Sequence, residues 1–225
     1  MLVLVVDSST PAVTAALVEV TAGGVTPRAQ RRTVDARAHG ELLAPQVDAV
    51  LAEVGARPAD LAAIVAGLGP GPFTGLRVGL VTAATMAQVL GVPAYGVCSL
   101  DGIGHPAAAG EPVLAAGDAR RREVYWAVYD GAGQRIAGPD VDAPAVAAQR
   151  ARDLGVTAVA GDGAHRYAEV FDLPLRAEPR YPDPTALAEL AAERIRAGAP
   201  GEPLTPLYLR RPDAVAATAR KPVLP

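Results

Sequence analysis

A few short stretches hold the residue types from which a catalytic or binding site is built. The glycine-rich loop Gly67-Leu-Gly-Pro-Gly-Pro-Phe-Thr74 lies between a short apolar run and a helical pattern, the setting of a phosphate cradle. The Walker spacing is absent, however, and the only lysine is far away at Lys221. Pro70 and Pro72 also remove two amides that a phosphate nest would use. The loop therefore reads as a stiff turn that delivers the chain into the helix. His39, His105 and His165 stand roughly sixty residues apart, without the HxxxH or HExxH spacing of a metal site. Cys98 follows an apolar run and has no base nominated beside it, so it reads as a small buried side chain. Arg120-Arg121-Arg122 is the one basic cluster, either facing phosphate or forming a solvated hairpin.

The helix after the glycine loop carries a different signal. Gly75, Gly79 and Ala83 fall at i, i+4 and i+8, a stripe without bulk. Each interior glycine costs a helix about 1 kcal/mol relative to alanine, so the stripe needs a compensating close approach. Packing inside the chain's own core is one reading; a helix-on-helix interface with a partner is the other. Leu76, Leu80 and Ala87 flank the stripe, with Met86 as an adaptable filler.

The elements that position these residues follow from periodicity. Residues 2–7, 12–20 and 25–34 are strand-like, with Gly23-Gly24 at the second turn. Leu43, Val47, Val50, Leu51 and Val54 line one helix face. Pro45 should sit near that helix's first turn, which places its start around Gly40–Leu42. Leu61–Ala66 is a short strand, 75–90 a second helix and Val92–Val97 a further strand. Residues 104–111 read as a linker. Strands at Val113–Ala116, Glu123–Tyr129 and about 134–142 follow, then a helix at 143–153, a strand at Val156–Ala160 and a helix at 185–197. The order βββαβα, met twice, predicts an α/β protein with two actin-like, RNase H-like lobes. The expected division is 1–103, 104–198 and a proline-rich irregular tail at 199–225. In such a fold the turn after the first strand touches phosphate. Asp7, Ser8 and Ser9 are thus candidates for a vestigial nucleotide contact, and equally for a turn of capping side chains.

Composition narrows the function classes. Half of the 225 residues are hydrophobic and 20% are charged, too apolar for disorder. The formal charge of −3 argues against a chain that holds nucleic acid mainly by its own charge. One cysteine excludes an internal disulfide framework. The apolar start meets Asp7 too soon for a signal peptide, and no run of about 18 apolar residues predicts a membrane span. A cytoplasmic protein is expected.

One resemblance then covers nearly the whole chain. Gly67-Leu-Gly-Pro-Gly-Pro-Phe-Thr-Gly-Leu-Arg-Val-Gly79 is similar to the GxGPGSFTGLRIG signature of the TsaB (YeaZ) family, departing in the loop at Pro72. His39-Gly-Glu-Leu-Leu-Ala-Pro45, Gly96-Val-Cys-Ser-Leu-Asp101, Asp118-Ala-Arg120 with Glu123-Val-Tyr125, and Pro206-Leu-Tyr-Leu-Arg210 resemble further segments of that family. The resemblance implies an actin-like fold and a part in making threonylcarbamoyladenosine in tRNA. It implies a partner subunit without catalysis, cofactor or metal, which pairs with the catalytic paralogue TsaD, joins the ATPase TsaE, and meets tRNA only through the complex. The paralogue's metal-binding histidines fall on Ser99 and Ile103 here, and neither can replace them. The helices at about 41–54 and 75–90 would form the docking face, through Leu43, Val47, Val50, Gly75, Leu76, Gly79, Leu80, Ala83 and Met86. Without TsaD the same face would support a homodimer. An actin-fold ATPase or small-molecule kinase is the alternative, motivated by the Asp7 turn and Gly161-Asp-Gly163. ATP turnover separates the two: the purified chain alone is expected to show little, and robust turnover abolished by Asp7→Ala would favour the kinase reading.

Overall fold

The structure is a computed structural model that describes residues 1–210; Lys221, Pro212, Pro222 and Pro225 lie outside the described residues. Three strands, β1 (Leu2–Asp7), β2 (Ala12–Thr21) and β3 (Gly24–Val34), form an antiparallel meander. Helix α1 (His39–Glu53) leads through a short 3-10 turn to β4 (Ala63–Gly67), and α2 (Phe73–Leu90) leads to β5 (Ala94–Val97). Both β4 and β5 join in parallel, giving the strand order β3-β2-β1-β4-β5. The second series runs α3 (Asp101–Ala108), β6 (Val113–Asp118), β7 (Val124–Tyr129), β8 (Arg135–Asp142), α4 (Pro144–Asp153), β9 (Ala158–Ala160), α5 (Asp162–Arg166), α6 (Ala168–Phe171) and α7 (Pro184–Arg196). Its sheet has the order β8-β7-β6-β9. This is the two-sheet α/β architecture of actin-like and RNase H-like proteins.

Alternation along each strand divides the core. Leu4 and Val6 face α1 and α2, meeting Leu43, Val47, Val50, Leu76, Leu80 and Ala83. Val3 and Val5 face the opposite way, against Leu187, Ala188 and Ala191 of α7. A strand buried on both faces must be apolar throughout, which is why 2–6 is a continuous hydrophobic run. In the second sheet Ala115, Ala127 and Tyr129 pack with Ile103 of α3, while Leu114, Trp126 and Val128 pack with α4 and Phe171.

Several expectations need correction. Residues 104–108 are not a linker but belong to α3. Its small residues let it wedge into the core: a Cβ on Gly104 would lie 2.0 Å from the Tyr129 ring, and one on Gly102 would lie 2.9 Å from Leu187. Helix α7 follows the second sheet in sequence yet covers the first, so the 104–198 segment does not pack as one lobe. Pro45 lies inside α1 rather than in its first turn. Pro45 and Glu41 are both exposed, so water can take up the Glu41 carbonyl that the proline leaves without a donor. The short helices α5 and α6 lack the length to show a period and were not anticipated.

The glycine stripe has an internal cause. Ser8 Oγ accepts from the Gly79 N–H (2.8 Å) and donates to the Gly75 carbonyl (2.8 Å), the two groups an α-helix pairs with each other. A Cβ on Gly79 would lie 2.5 Å from that hydroxyl, and one on Gly75 would lie 3.1 Å from the Ser8 carbonyl and 3.2 Å from His39 Nε2. The stripe admits the Ser8 turn of the same chain, not a partner helix. Gly79→Ala is accordingly expected to cost about 1–3 kcal/mol by overpacking, lowering the melting temperature by roughly 2–4 °C per kcal/mol. Gly75→Ala should cost less, and Gly40→Ala, where a Cβ meets nothing within 4 Å, should be neutral or stabilising in the same melts.

Candidate functional site

The turn after β1 is held from every side. Asp7 Oδ1 accepts from the Ser9 amide (2.9 Å) and hydroxyl (2.8 Å), and Oδ2 accepts from the Ser99 hydroxyl (2.6 Å). Ser99 Oγ in turn accepts from the Gly69 N–H (3.0 Å), and the Ser99 N–H reaches the Gly69 carbonyl (2.7 Å). His39 Nε2 meets the Thr10 carbonyl at 2.8 Å. Gly67 faces the carboxylate so closely that a Cβ there would lie 1.7 Å from Asp7 Oδ2. Burial raises the Asp7 pKa, and the Ser99 and Ser9 hydrogen bonds oppose the rise. The side chains of Asp7 and Ser8 are therefore committed to the chain's own groups, not directed at a nucleotide. From this turn Ser9, Thr10 and Pro11 line the cleft between the sheets, together with Ser99.

That cleft is nearly closed. Ser9, Thr10, Pro70, Leu100, Asp118 and Asp162 line a cavity of about 10 Å³, room for little more than one water. Asp162 begins α5 and accepts a long bond from the Asp118 N–H (3.4 Å). Burial pushes its carboxyl up to about 6, and the neighbouring Asp118 charge adds to the rise. Arg166 pairs with Asp118 at 3.1 Å across the mouth. Ser99 and Ile103, the positions matched to the paralogue's histidines, are both buried and both line this cavity, Ser99 with its hydroxyl on Asp7 and Ile103 packed against the second sheet. Cys98 is buried as expected, and burial pushes its thiol up to about 12, which leaves no thiolate near neutral pH. Among the described residues, no group of three His, Cys, Asp or Glu side chains converges as metal ligands would.

The nine residues expected at a docking face are placed differently. Leu43, Val47, Val50, Gly75, Leu76, Gly79, Leu80 and Ala83 are buried inside the chain, and Met86 is half-buried against the same core. The eight buried ones are already covered by their own chain, and Met86 alone keeps part of its surface free for a contact. The structure brings forward the opposite face of α2 instead. Val81 and Val89 are 62% and 78% exposed there, with Thr74, Ala84 and Thr85 also exposed. Arg77 is the only charged residue in α2. At its start Phe73, 53% exposed, stacks on Tyr208 with ring centroids 5.3 Å apart. The Arg77 guanidinium lies 3.7 Å from the Phe73 centroid, and its Nε donates to the Tyr208 hydroxyl at 2.9 Å. Sequence reasoning missed this face by following the glycines; the scarcity of charge along 73–90 was the signal available. By length and composition α2 is also apolar enough to cross a membrane, although its inner stripe packs on the sheet.

Comparison with known proteins gives consistent results. The family model for TsaD, tRNA N6-adenosine threonylcarbamoyltransferase, matches residues 12–214. An uncharacterized protein of Mycobacterium tuberculosis (strain ATCC 25618 / H37Rv) is 49% identical over 212 residues, 94% of this chain and 93% of its own length. The tRNA threonylcarbamoyladenosine biosynthesis protein TsaB of Escherichia coli (strain K12) is 38% identical over 96 residues, 41% of this chain and 42% of that protein. The solved structure of YeaZ from Pseudomonas aeruginosa is similar at a TM-score of 0.74 and 28% identity, covering 92% of this chain and 100% of that one.

The cleft yields a pH dependence. The folded-state pKa of Asp162, about 6, lies above its ordinary value of 3.8, so the protonated carboxyl is the form the fold favours. Its contribution is fully present below about pH 4 and is lost as pH rises through about 6. Asp162→Asn is therefore expected to stabilise the protein at pH 7–8, by at most about 3 kcal/mol at 1.36 kcal/mol per unit. The gain should vanish near pH 4 in chemical-denaturation curves.

Proposed function

From the premise that this chain belongs to the threonylcarbamoyltransferase (TsaD) family, in its TsaB or YeaZ branch, we propose that it acts in threonylcarbamoyladenosine biosynthesis in tRNA as a non-catalytic partner subunit. It pairs with the catalytic paralogue TsaD, and the ATPase TsaE joins that pair. The observation that carries this reading is the outward face of α2, an apolar helix surface that, beyond the Tyr208 ring at its start, none of the described residues covers at Val81 or Val89. The cluster of Phe73, Arg77 and Tyr208 brings the tyrosine and arginine in which interface hot spots are enriched, and exposed Val81 and Val89 add apolar area along the same helix. The occupant proposed is a paralogue because the chain itself matches the TsaD family model along most of its length. Two chains of one fold can pair through the same helix about a two-fold axis, each covering the other's apolar strip. In the absence of TsaD a second copy of this chain would take its place. The non-catalytic role rests on the committed Asp7 and Ser8 side chains and on the chemistry of Ser99 and Ile103, which line the cavity without an imidazole to hold a metal. Residues 204–208 support the docking helix, Leu204 against its core and Tyr208 on Phe73 and Arg77.

The test is reconstitution. Threonylcarbamoyl transfer to tRNA should require TsaD, TsaE and this chain together, with no transfer by this chain alone. The double variant Val81→Asp, Val89→Asp should bind TsaD at least about 30-fold more weakly, since an unpaired charge in an apolar contact costs upward of about 2 kcal/mol. Its melting temperature should match wild type because both side chains are exposed. Ile136→Asp, on the exposed side of β8, should leave binding intact. Wild-type affinity in the double variant would place the contact elsewhere.

A further inference from the structure

We propose that the β6–β7 hairpin, through Arg120 and Arg122, contacts the phosphate backbone of the RNA substrate; this rests on the function proposed above. Arg120, Arg121 and Arg122 all adopt the left-handed conformation, with φ of 59°, 50° and 62°. The turn is closed by Ala119 N–H to the Glu123 carbonyl (3.0 Å) and Glu123 N–H to the Arg120 carbonyl (2.9 Å). Each residue with a side chain costs about 1–2 kcal/mol in that conformation, whereas glycine or asparagine adopts it readily. A sequence that keeps three arginines there has a use for their side chains, not for the turn alone. All three are exposed.

The surrounding charges leave the hairpin cationic. Some arginines elsewhere are paired with carboxylates, as in Arg28–Glu19, Arg135–Asp101 and Arg194–Glu202, and others, such as Arg37, Arg150 and Arg180, are not paired so among the described residues. The two acids that flank the hairpin are already taken: Asp118 pairs with Arg166, and Glu123 pairs with Arg210. Among the described residues no carboxylate lies within ion-pair distance of Arg120 or Arg122. Arg120 and Arg122 thus stand as two positive groups on one turn of a chain of net charge −3. Guanidinium groups on a fixed turn suit phosphate oxygens, which they bind in bidentate fashion. The location is also coherent. Arg210 donates to the Ala119 carbonyl (3.1 Å), and two residues earlier Tyr208 joins the cluster at the start of α2. Residues 208–210 thus join the hairpin to the start of the proposed docking helix.

The experiment measures bulk tRNA binding by the reconstituted complex of this chain with TsaD and TsaE, from 50 to 300 mM salt. The double variant Arg120→Gly, Arg122→Gly relieves the backbone, so its melting temperature should equal or exceed wild type and TsaD should still bind. Loss of two phosphate contacts should lower the slope of log affinity against log salt by about 1.4–1.8. Arg120→Lys, Arg122→Lys should retain most of that slope. Equal slope and affinity in the glycine variant overturn the proposal while leaving the function reading in place. A wild-type complex that assembles but binds no tRNA overturns both.

Discussion

One hydroxyl organises the first sheet and its helices. Ser8 bridges the Gly75 carbonyl and the Gly79 amide of α2, joining the end of β1 to a helix that lies beyond the intervening α1 and β4 in sequence. Such a bridge needs the helix backbone within hydrogen-bond distance of the turn, and only residues without a Cβ allow that approach. The neighbouring Asp7 repeats the arrangement on the other side, where Gly67 leaves room for a carboxylate that Ser9 and Ser99 satisfy. The loop between Gly67 and Thr74 is thus shaped to fit a turn of its own chain, which is why it resembles a phosphate cradle without the amides or lysine of one.

This anchoring decides what α2 offers outward. With Gly75, Leu76, Gly79, Leu80 and Ala83 held against the sheet, rotation of the helix is fixed, and Val81 and Val89 must face away. Apolar residues on an exposed helix face are unremarkable singly, but here they run along a helix with one charge, ending in a ring stack topped by Arg77. Water gains nothing from such a surface, and a partner of similar character does. The close internal packing of one face and the bareness of the other are therefore two results of the same contact.

The cleft between the sheets follows a different logic. Ligand pockets are commonly ~300–1,000 Å³, and this one holds about 10 Å³. Asp118 Oδ2 is held by Arg166 while its Oδ1 is buried without a hydrogen-bond partner among the described residues, and Asp162 is held by backbone amides in a site that disfavours its charge. The place where a related architecture would open to a ligand is instead a seam, with Ser9 and Thr10 on one side and Asp118 and Asp162 on the other.

Most of the architecture was legible in the sequence, because strands buried on both faces, helices with one apolar stripe and glycine turns each leave a local pattern. The meander, α1, α2 and the second sheet appear close to their expected bounds. The elements that misled were those whose reason is non-local. Residues 104–108 look like a linker because small residues and Pro106 say nothing of the Tyr129 ring that Gly104 accommodates. Helix α7 shows its amphipathic stripe in sequence, yet which sheet it covers depends on the return of the chain. The candidate site divides in the same way. By itself the sequence determined that α2 is apolar, nearly uncharged and lined with glycine, and that its loop could not be a Walker cradle. Only the tertiary structure decided which side of α2 is free, because that depends on where Ser8 meets the helix, a contact between residues some seventy positions apart.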